Sequence, residues 1–238
     1  MVSNNINRLF MGLLILTVVF LLYLLKLDFI LIILILSLIT YDFLKIKIIN
    51  FFFLCIISLI TISLIIFIPY EFFSMFFILQ TILVILSFLN YKFKKFYFLF
   101  SLYVFCIILS YLSNFDRNIL YTVIFISFLN DTTAYIFGKK IGGPLIIPSI
   151  SPKKTWSGTI ISFLISSSIL IYLNTNIIIA IFVSISLFLG DIYFSYFKRF
   201  LNLKDFSSLL RAHGGILDRL DSMFFSVIIF QIYLFFLK

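Results

Sequence analysis

Charged residues are scarce in this sequence. Asp, Glu, Lys and Arg make up 11% of its 238 residues, against roughly 25% in an ordinary soluble domain. Apolar residues make up 63%, so a water-soluble fold would lack the polar side chains that cover its surface. The composition excludes a soluble enzyme and a disordered tail, and it predicts an integral membrane protein.

Cysteine is also rare. Cys55 and Cys106 both lie inside apolar runs, which fits neither a disulfide framework nor a CxxC zinc motif. The apolar run 9–25 is followed by Lys26-Leu27-Asp28 without a small-residue cleavage site. We therefore expect neither a secreted disulfide module nor a cleavable targeting signal.

Long apolar runs fill most of the chain, and they are apolar on every face. A closed β-barrel needs alternating polar and apolar residues, so helices are favoured. A helix crosses the ~30 Å hydrocarbon core in roughly 17–25 residues. The short second run ends at Tyr41-Asp42, so that helix is tilted, extended or paired with the first. The predicted fold class is all-α, a polytopic integral membrane protein of about nine transmembrane helices, near 9–25, 29–40, 48–68, 72–89, 96–112, 119–137, 159–173, 177–194 and 222–237.

The Lys and Arg residues are distributed unevenly between the two sides of the predicted membrane. Alternate loops, starting from the N-terminus, hold 15 of the 18 basic residues. The positive-inside bias then places the N-terminus and both long loops in the cytoplasm and the C-terminus outside. We attribute the formal net charge of +9 to the orientation of the protein in the membrane and to contact with anionic lipid headgroups, and we expect no nucleic-acid partner. The predicted location is the inner (cytoplasmic) membrane, with the active site facing the cytoplasm.

Glycine and proline are concentrated in the second half of the chain. Seven of the eight glycines follow residue 137, and three of the four prolines lie between residues 144 and 152. These residues set backbone shapes that other residues resist. We therefore predict a scaffold of membrane helices over 1–118 and a catalytic half, with helices and cytoplasmic loops, over 119–238.

The sequence NDTTAYIFGKKIGG, residues 130–143, places a carboxylate inside a membrane helix. Asp131 lies about two helical turns before Gly138, and Tyr135 shares its face. An intramembrane carboxylate costs roughly 2.5–3.5 kcal/mol on insertion scales and normally faces a partner or a cavity. It is either a functional group or a polar residue that packs helices together.

The sequence SPKKTWSG, residues 151–158, combines a proline turn, Lys153, Lys154 and a helix start at Gly158. Ammonium groups and a helix N-terminus both favour phosphate. The alternative is an ordinary pair of positive-inside lysines.

The sequence GDIYFSYFKR, residues 190–199, puts Asp191, Ser195 and Lys198 at i, i+4 and i+7, on one face of a helix. An acidic residue deeper in the membrane than the basic pair Lys198-Arg199 indicates a metal or phosphate site open to the cytoplasm. The alternative is an ion pair at the membrane interface.

The sequence HGGILDRLDS, residues 213–222, carries the strongest signal. Two glycines after the lone His213 can form a backbone N–H concavity for an anion. Asp218 and Asp221, three residues apart, are expected to point the same way. Paired carboxylates beside basic residues can hold Mg²⁺ against a polyphosphate. For His213 alone, a structural hydrogen-bonding role stays open.

These four blocks, in this order, resemble the phosphatidate cytidylyltransferases, or CDP-diacylglycerol synthases. S-x-x-K-R, K-D and H-G-G-x-x-D-R-x-D, here Ser195 to Asp221, resemble the signature of that family. The match covers 130–222, and the first 120 residues match only as a hydrophobic multi-span region. Three positions depart from the family pattern: Ser157 replaces a frequent Glu, and Arg211-Ala212 replaces Pro-Gly.

The resemblance implies the reaction of CTP with phosphatidate to give CDP-diacylglycerol and pyrophosphate, in a helical membrane homodimer that uses Mg²⁺. Whether a second, monovalent cation takes part stays open. It implies catalytic roles for Asp218, Asp221, Asp191, Lys154 and His213, with the three aspartates as metal ligands. The substrate-binding residues that it implies are Ser151, Lys153, Lys154, Ser195, Lys198, Arg199, Gly214, Gly215, Arg219 and Asp131.

Two other functions remain as alternatives. A CTP-dependent polyprenol or lipid kinase would share the helices and lysines but would release CDP without pyrophosphate. A transporter would use Asp131 and Asp191 as ion sites, normally in two similar halves. Here the two halves differ sharply, which disfavours a transporter.

Overall fold

The fold is described from a computed structural model, which covers residues 14–46, 49–69, 72–207, 215 and 217–236. Its long helices follow the apolar runs, because a helix satisfies every backbone polar group without water. In chain order the elements are α1 (Leu14–Leu24), α2 (Asp28–Ile46), α3 (Phe51–Phe67), α4 (Phe73–Leu89), α5 (Lys94–Phe115), α6 (Arg117–Ile141), β1 (Leu145–Ile147), β2 (Ser151–Thr155), α7 (Trp156–Tyr172), α8 (Ile177–Phe200), α9 (Leu217–Leu220) and α10 (Met223–Phe236).

The predicted all-α, multi-pass membrane fold is confirmed. Within the described residues, four helices are long and apolar enough to cross a membrane, namely α2, α5, α6 and α8. The other predicted spans appear as shorter apolar helices, so the predicted number of nine crossings is not confirmed. The short second run proves to be extended, because α2 has 19 residues and continues past Tyr41-Asp42.

The chain divides into two compact units. The first contains Met1–Asn118 together with Asp205–Asp218, and the second contains Ile119–Lys204 together with Arg219–Lys238. One division falls after residue 118, but the segment Asp205–Asp218, which belongs to the predicted second half 119–238, groups with the first unit. The assignment of scaffold and catalytic roles to the two halves stays a prediction.

In the first unit, α5 is the central helix. It packs against α2, α3 and α4, and most of its residues between Phe98 and Leu112 are buried. The ring of Phe98 stacks on Phe206 at 5.9 Å between centroids and lies 6.1 Å from the ring of Phe43. Phe206 is therefore attached to the core formed by α2 and α5.

In the second unit, α8 packs against α7 and α10. Tyr193 stacks on Phe224 with 5.7 Å between ring centroids. A methyl group on Gly158 would lie 2.5 Å from the Ala134 carbonyl oxygen. Only glycine permits this close approach of α7 to α6.

A β-hairpin joins α6 to α7, where the sequence predicted a loop with a proline turn. β1 and β2 pair antiparallel, with Leu145 opposite Thr155 and Ile147 opposite Ser151. Thr155 is the N-cap of α7, and its hydroxyl accepts a hydrogen bond from the Gly158 N–H at 3.3 Å. The helix start predicted near Gly158 thus follows directly from the strand that carries the two lysines.

Candidate active site

The second unit brings together a lysine and three carboxylates from separate elements. Lys154 on β2 forms an ion pair with Asp191 on α8. The Lys154 ammonium also lies 5.7 Å from the ring centroid of Phe188, one turn earlier on α8. Because side chains alternate along a strand, Lys154 is partly buried towards α8 while its neighbour Lys153 is exposed.

Asp131 lies on α6, in electrostatic range of Asp191, Lys154 and Arg219. Its Oδ1 is buried and, among the residues that the structure describes, has no hydrogen-bond partner. A buried carboxylate oxygen without a partner is costly, since it has lost water without replacement. Neighbouring Asn130 is buried as well, and the Ser166 hydroxyl on α7 lies 3.5 Å from its Oδ1.

Asp221 lies in the turn before α10 and is 5% exposed. Its Oδ1 accepts the Ser222 N–H at 2.9 Å. Burial raises the pKa of Asp221 well above its usual range, and the Asp191 and Asp131 carboxylates raise it further, whereas Lys198 and Lys154 lower it. Keeping this carboxyl group ionised therefore costs free energy, which a bound cation would offset.

Gly190 fixes the approach of this turn to α8. A Cβ on Gly190 would lie 2.2 Å from the Asp221 carbonyl oxygen and 3.1 Å from that of Ser222. On α6, the Ser127 hydroxyl lies 2.6 Å from the Ser222 hydroxyl. The Asp221 backbone is thus held against α8, directly beside Asp191.

The donor set fits a divalent cation. Carboxylate oxygens are the ligands that Mg²⁺ prefers, and Mg²⁺ is normally held by one or two carboxylates together with water and substrate phosphates. The buried Asp131 Oδ1 is a ready oxygen donor. Within the described part of the chain, no three His, Cys, Asp or Glu side chains converge closely enough to form a complete protein cage. The arrangement therefore suits a metal shared with a substrate.

The other predicted residues of α8 have different surroundings. Ser195 is buried in the helix. Arg199 donates from Nε to the Ile150 carbonyl at 3.0 Å and from a terminal nitrogen to the Leu203 carbonyl at 3.2 Å. In this state Arg199 connects the hairpin to the end of α8, so its predicted contact with phosphate would require it to exchange partners.

Asp218 belongs to the first unit and is bonded to backbone. Its Oδ2 accepts the Gly215 N–H at 2.8 Å and the Phe206 N–H at 3.1 Å. The predicted anion concavity would use the Gly215 N–H, which here points to this carboxylate. Asp221 lies beyond the four-residue helix α9, so its spacing from Asp218 does not fix a shared direction. His213 and Gly214 lie outside the described residues, and the metal and substrate roles stay predictions.

Sequence reasoning missed Asp42 on α2. This carboxylate is fully buried and accepts hydrogen bonds from Ser207 and Leu217. Its only sequence signal is a lone acid at the end of an apolar run, which is normally taken as the end of a membrane span.

An apolar recess adjoins Lys154. Isoleucines of the hairpin form one side, Phe188 and Ile192 of α8 form the other, and Ser151 contributes a polar group. The lining thus combines one cationic group with apolar side chains.

Apolar helices long enough to cross a membrane, together with the Lys154–Asp191 ion pair beside two further carboxylates, make this a membrane protein with a candidate site for anionic ligands. A sequence model described as "Cytidylyltransferase family" matches residues 6–237. The chain belongs to this family.

Curated relatives agree with that assignment. A phosphatidate cytidylyltransferase of Rickettsia bellii is 42% identical over 109 residues, covering 39% of this chain and 47% of the relative. One of Staphylococcus aureus is 40% identical over 117 residues, covering 45% of each. "Uncharacterized protein YnbB" of Escherichia coli is 37% identical over 110 residues, covering 42% of this chain and 37% of the relative. In these alignments the chain spans about half the length, or less, of the curated relatives it matches.

Proposed function

We propose that this protein is a phosphatidate cytidylyltransferase, which transfers CMP from CTP to phosphatidate in the synthesis of phospholipids. The observation that carries the proposal is the Lys154–Asp191 ion pair, set beside the buried Asp221 and the buried Oδ1 of Asp131. Family membership and the names of the relatives support it. Phosphatidate combines a phosphomonoester head with acyl chains, which suits Lys154 beside an apolar recess.

The proposed reaction joins two anions. A phosphatidate phosphate oxygen attacks the α-phosphorus of CTP, the bond from that phosphorus to the bridging oxygen of the β-phosphate breaks, and pyrophosphate leaves with the bonding electrons. Because both reactants are negative, the site must screen their repulsion and hold them in line. Lys154 supplies positive charge at the recess, and Lys198 and Arg219 supply it near Asp221 and Asp131.

Mg²⁺ is proposed as the cofactor, held by carboxylates among Asp131, Asp191 and Asp221, with Asp218 added by the family resemblance. When bound, it would supply positive charge between the substrate phosphates. Ion-paired to Lys154, Asp191 orients the ammonium group. Gly190 keeps the Asp221 backbone close to α8. A homodimer is proposed from the resemblance alone.

The assay that tests this function uses purified protein in lipid nanodiscs with CTP, phosphatidate and Mg²⁺. CDP-diacylglycerol and pyrophosphate should form in equal amounts, because one bond to the α-phosphorus is exchanged for another. Release of CDP with a phosphorylated lipid would assign the lipid kinase instead. Failure to form either product from CTP would overturn the proposal.

The proposed location of the site is the cytoplasmic face of an inner membrane. The loop between α6 and α7 and the segment after α8 are rich in Lys and Arg, which the positive-inside bias keeps in the cytoplasm.

Cysteine labelling tests this orientation. In a cysteine-free background, Thr175→Cys should react with an impermeant thiol reagent added to intact cells, and Pro152→Cys should not. Reaction at position 152 would reverse the orientation and place the site outside.

A further inference from the structure

Ser222 contacts two carboxylates of the second unit that come from different elements. It directly follows Asp221 in the turn before α10 and is fully buried. Its backbone N–H donates to Asp221 Oδ1 at 2.9 Å, and its hydroxyl interacts with the Asp131 carboxylate of α6. One residue thus serves both carboxylates, through two different donor groups.

The position of Ser127 explains how the Ser222 hydroxyl reaches Asp131. Ser127 lies four residues before Asp131, on the same face of α6, and its hydroxyl lies 2.6 Å from the Ser222 hydroxyl. An ionised carboxylate only accepts hydrogen bonds, so the single hydroxyl hydrogen of Ser222 is directed to Asp131. The Ser127 hydroxyl is then the donor to Ser222. Hydrogen bonds arranged in such a chain strengthen one another.

The backbone of Ser222 packs against α8. A Cβ on Gly190 would lie 3.1 Å from the Ser222 carbonyl oxygen and 2.2 Å from that of Asp221, so the turn approaches α8 where only glycine fits. Gly190 directly precedes Asp191, which forms the ion pair with Lys154. Ser222 is therefore attached to α6 by its side chain and to α8 by its backbone.

The two carboxylates need such a restraint because they repel each other. Asp131 and Asp221 interact electrostatically, and each also interacts with Asp191. Like charges shielded from water favour rotamers that separate them. Donors from Ser222 oppose this separation, and hydrogen bonds to ionised acceptors are roughly twice as strong as those between neutral groups. The carboxylates are thus held together before a cation arrives.

A hydroxyl that serves only helix packing normally bonds a carbonyl of its own helix. The Ser226 hydroxyl does so, donating to the Met223 carbonyl at 2.8 Å. Ser226 lies four residues after Ser222 and is equally buried. The Ser222 hydroxyl instead contacts side chains of another helix, which indicates a role beyond packing and makes Ser226 a matched control.

We propose that Ser222 is a positioning residue of the cytidylyl-transfer site, which holds the Asp131 and Asp221 carboxylates at the spacing needed to share one divalent cation. The inference rests on the proposed function and its proposed metal. Ser222 acts through the two carboxylates and needs no contact with substrate. Small displacements of such groups are expensive, since a misplacement of about 1 Å can cost roughly 100-fold in rate.

The first test compares the activities of Ser222→Ala, Ser127→Ala and Ser226→Ala. Ser222→Ala should lower kcat by at least ~10-fold and raise the Mg²⁺ concentration for half-maximal activity by about 5-fold or more, because Asp131 loses its donor. Ser127→Ala should shift both values less, since the Ser222 hydroxyl still reaches Asp131. Ser226→Ala should leave both values unchanged. Equal values for Ser222→Ala and Ser226→Ala would overturn the proposal.

Mn²⁺ binding supplies a readout that does not depend on turnover. Free Mn²⁺ is measured by electron paramagnetic resonance with substrate-free protein in nanodiscs of neutral phosphatidylcholine. Ser222→Ala should raise the Kd for Mn²⁺ by about 5-fold or more, and Ser226→Ala should match the wild type. An unchanged Kd in Ser222→Ala, or no saturable binding by the wild type, would overturn the proposal.

A thermal melt separates positioning from folding, because Ser222→Ala and Ser226→Ala each delete one buried hydroxyl. A loss of activity or of Mn²⁺ affinity that merely follows the folded fraction would overturn the proposal. If Ser222→Ala does not fold, Ser127→Ala decides by the same two measurements. If wild-type protein binds Mn²⁺ but makes no CDP-lipid, the proposed function fails, and the Kd values still decide whether Ser222 positions the carboxylates.

Discussion

Replacing Lys154 by glutamine should lower kcat/KM for cytidylyl transfer by at least ~100-fold, a rise in the barrier of roughly 2.7 kcal/mol. The substitution removes the ammonium group that pairs with Asp191 and that, in the proposed reaction, screens the phosphates of both substrates. It also leaves the Asp191 carboxylate near Asp221 and Asp131 with less positive charge to balance them. Lys154→Arg keeps the charge and should restore part of the loss.

The controls for this prediction come from other lysines. Lys153→Gln should cost less, because Lys153 is exposed on the opposite side of β2. Lys95→Gln, which changes an exposed lysine in the first turn of α5, should have almost no effect. Its neighbour Lys94 is a poor control, since it is only 4% exposed and lies 5.6 Å from the Tyr91 ring centroid. Equal small effects at 154 and 95 would mean that the 151–155 lysines act only in topology.

The membrane helices could be predicted from the sequence, because each apolar run is long and has one stable conformation in lipid. The length of α2 could not be predicted from the sequence. A charged Asp42 normally ends a membrane span, and it is accommodated here by a hydroxyl and a backbone N–H that lie 165 and 175 residues away along the chain. Contacts over such separations leave no periodic signal in one sequence.

The residue types of the candidate site could be predicted from the sequence, but the ion pair that joins two of them could not. The sequence singled out Lys154, Asp191, Asp131 and Asp221 as unusual polar residues in an apolar background. It could not show that Lys154 lies on a strand facing α8, because a five-residue segment with proline is ambiguous between turn and edge strand. Lys154 reaches Asp191 because side chains alternate between the two faces of that strand.

Asp218 and Asp221 illustrate a different limit. Their i, i+3 spacing implies a shared face only if both lie on one regular helix. α9 ends at Leu220, and the two carboxylates bond to different backbone groups. Asp218 accepts from Phe206 and Gly215, whereas Asp221 accepts from Ser222 and interacts electrostatically with Asp191 and Asp131.

That difference shapes the expected result at Asp221. Asp221→Asn should leave the protein folded and inserted, because its carbonyl can still accept the Ser222 N–H, but it should lose at least ~100-fold in rate, again roughly 2.7 kcal/mol of barrier. An amide offers Mg²⁺ one neutral oxygen in place of a charged carboxylate. Binding should therefore weaken, the Mg²⁺ concentration for half-maximal activity should rise, and excess Mg²⁺ should restore part of the rate.

Asp218→Asn is predicted to lose a similar factor in rate if Asp218 is also a metal ligand. The amide carbonyl of the asparagine can accept both backbone hydrogen bonds, so a loss of activity in Asp218→Asn would come from the missing negative charge and not from missing hydrogen bonds.

The matched control is Asp205→Asn, since Asp205 is an exposed carboxylate in the segment Asp205–Asp218 and its loss removes the same formal charge. It should cost far less than Asp221→Asn and should not change the Mg²⁺ requirement. Near-normal activity of Asp221→Asn with an unchanged Mg²⁺ requirement would exclude Asp221 as a ligand. The metal would then have to be held on the α6 and α8 side of the site, where Asp131 keeps a buried oxygen without a hydrogen-bond partner in the described structure and Asp191 can exchange Lys154 for a cation.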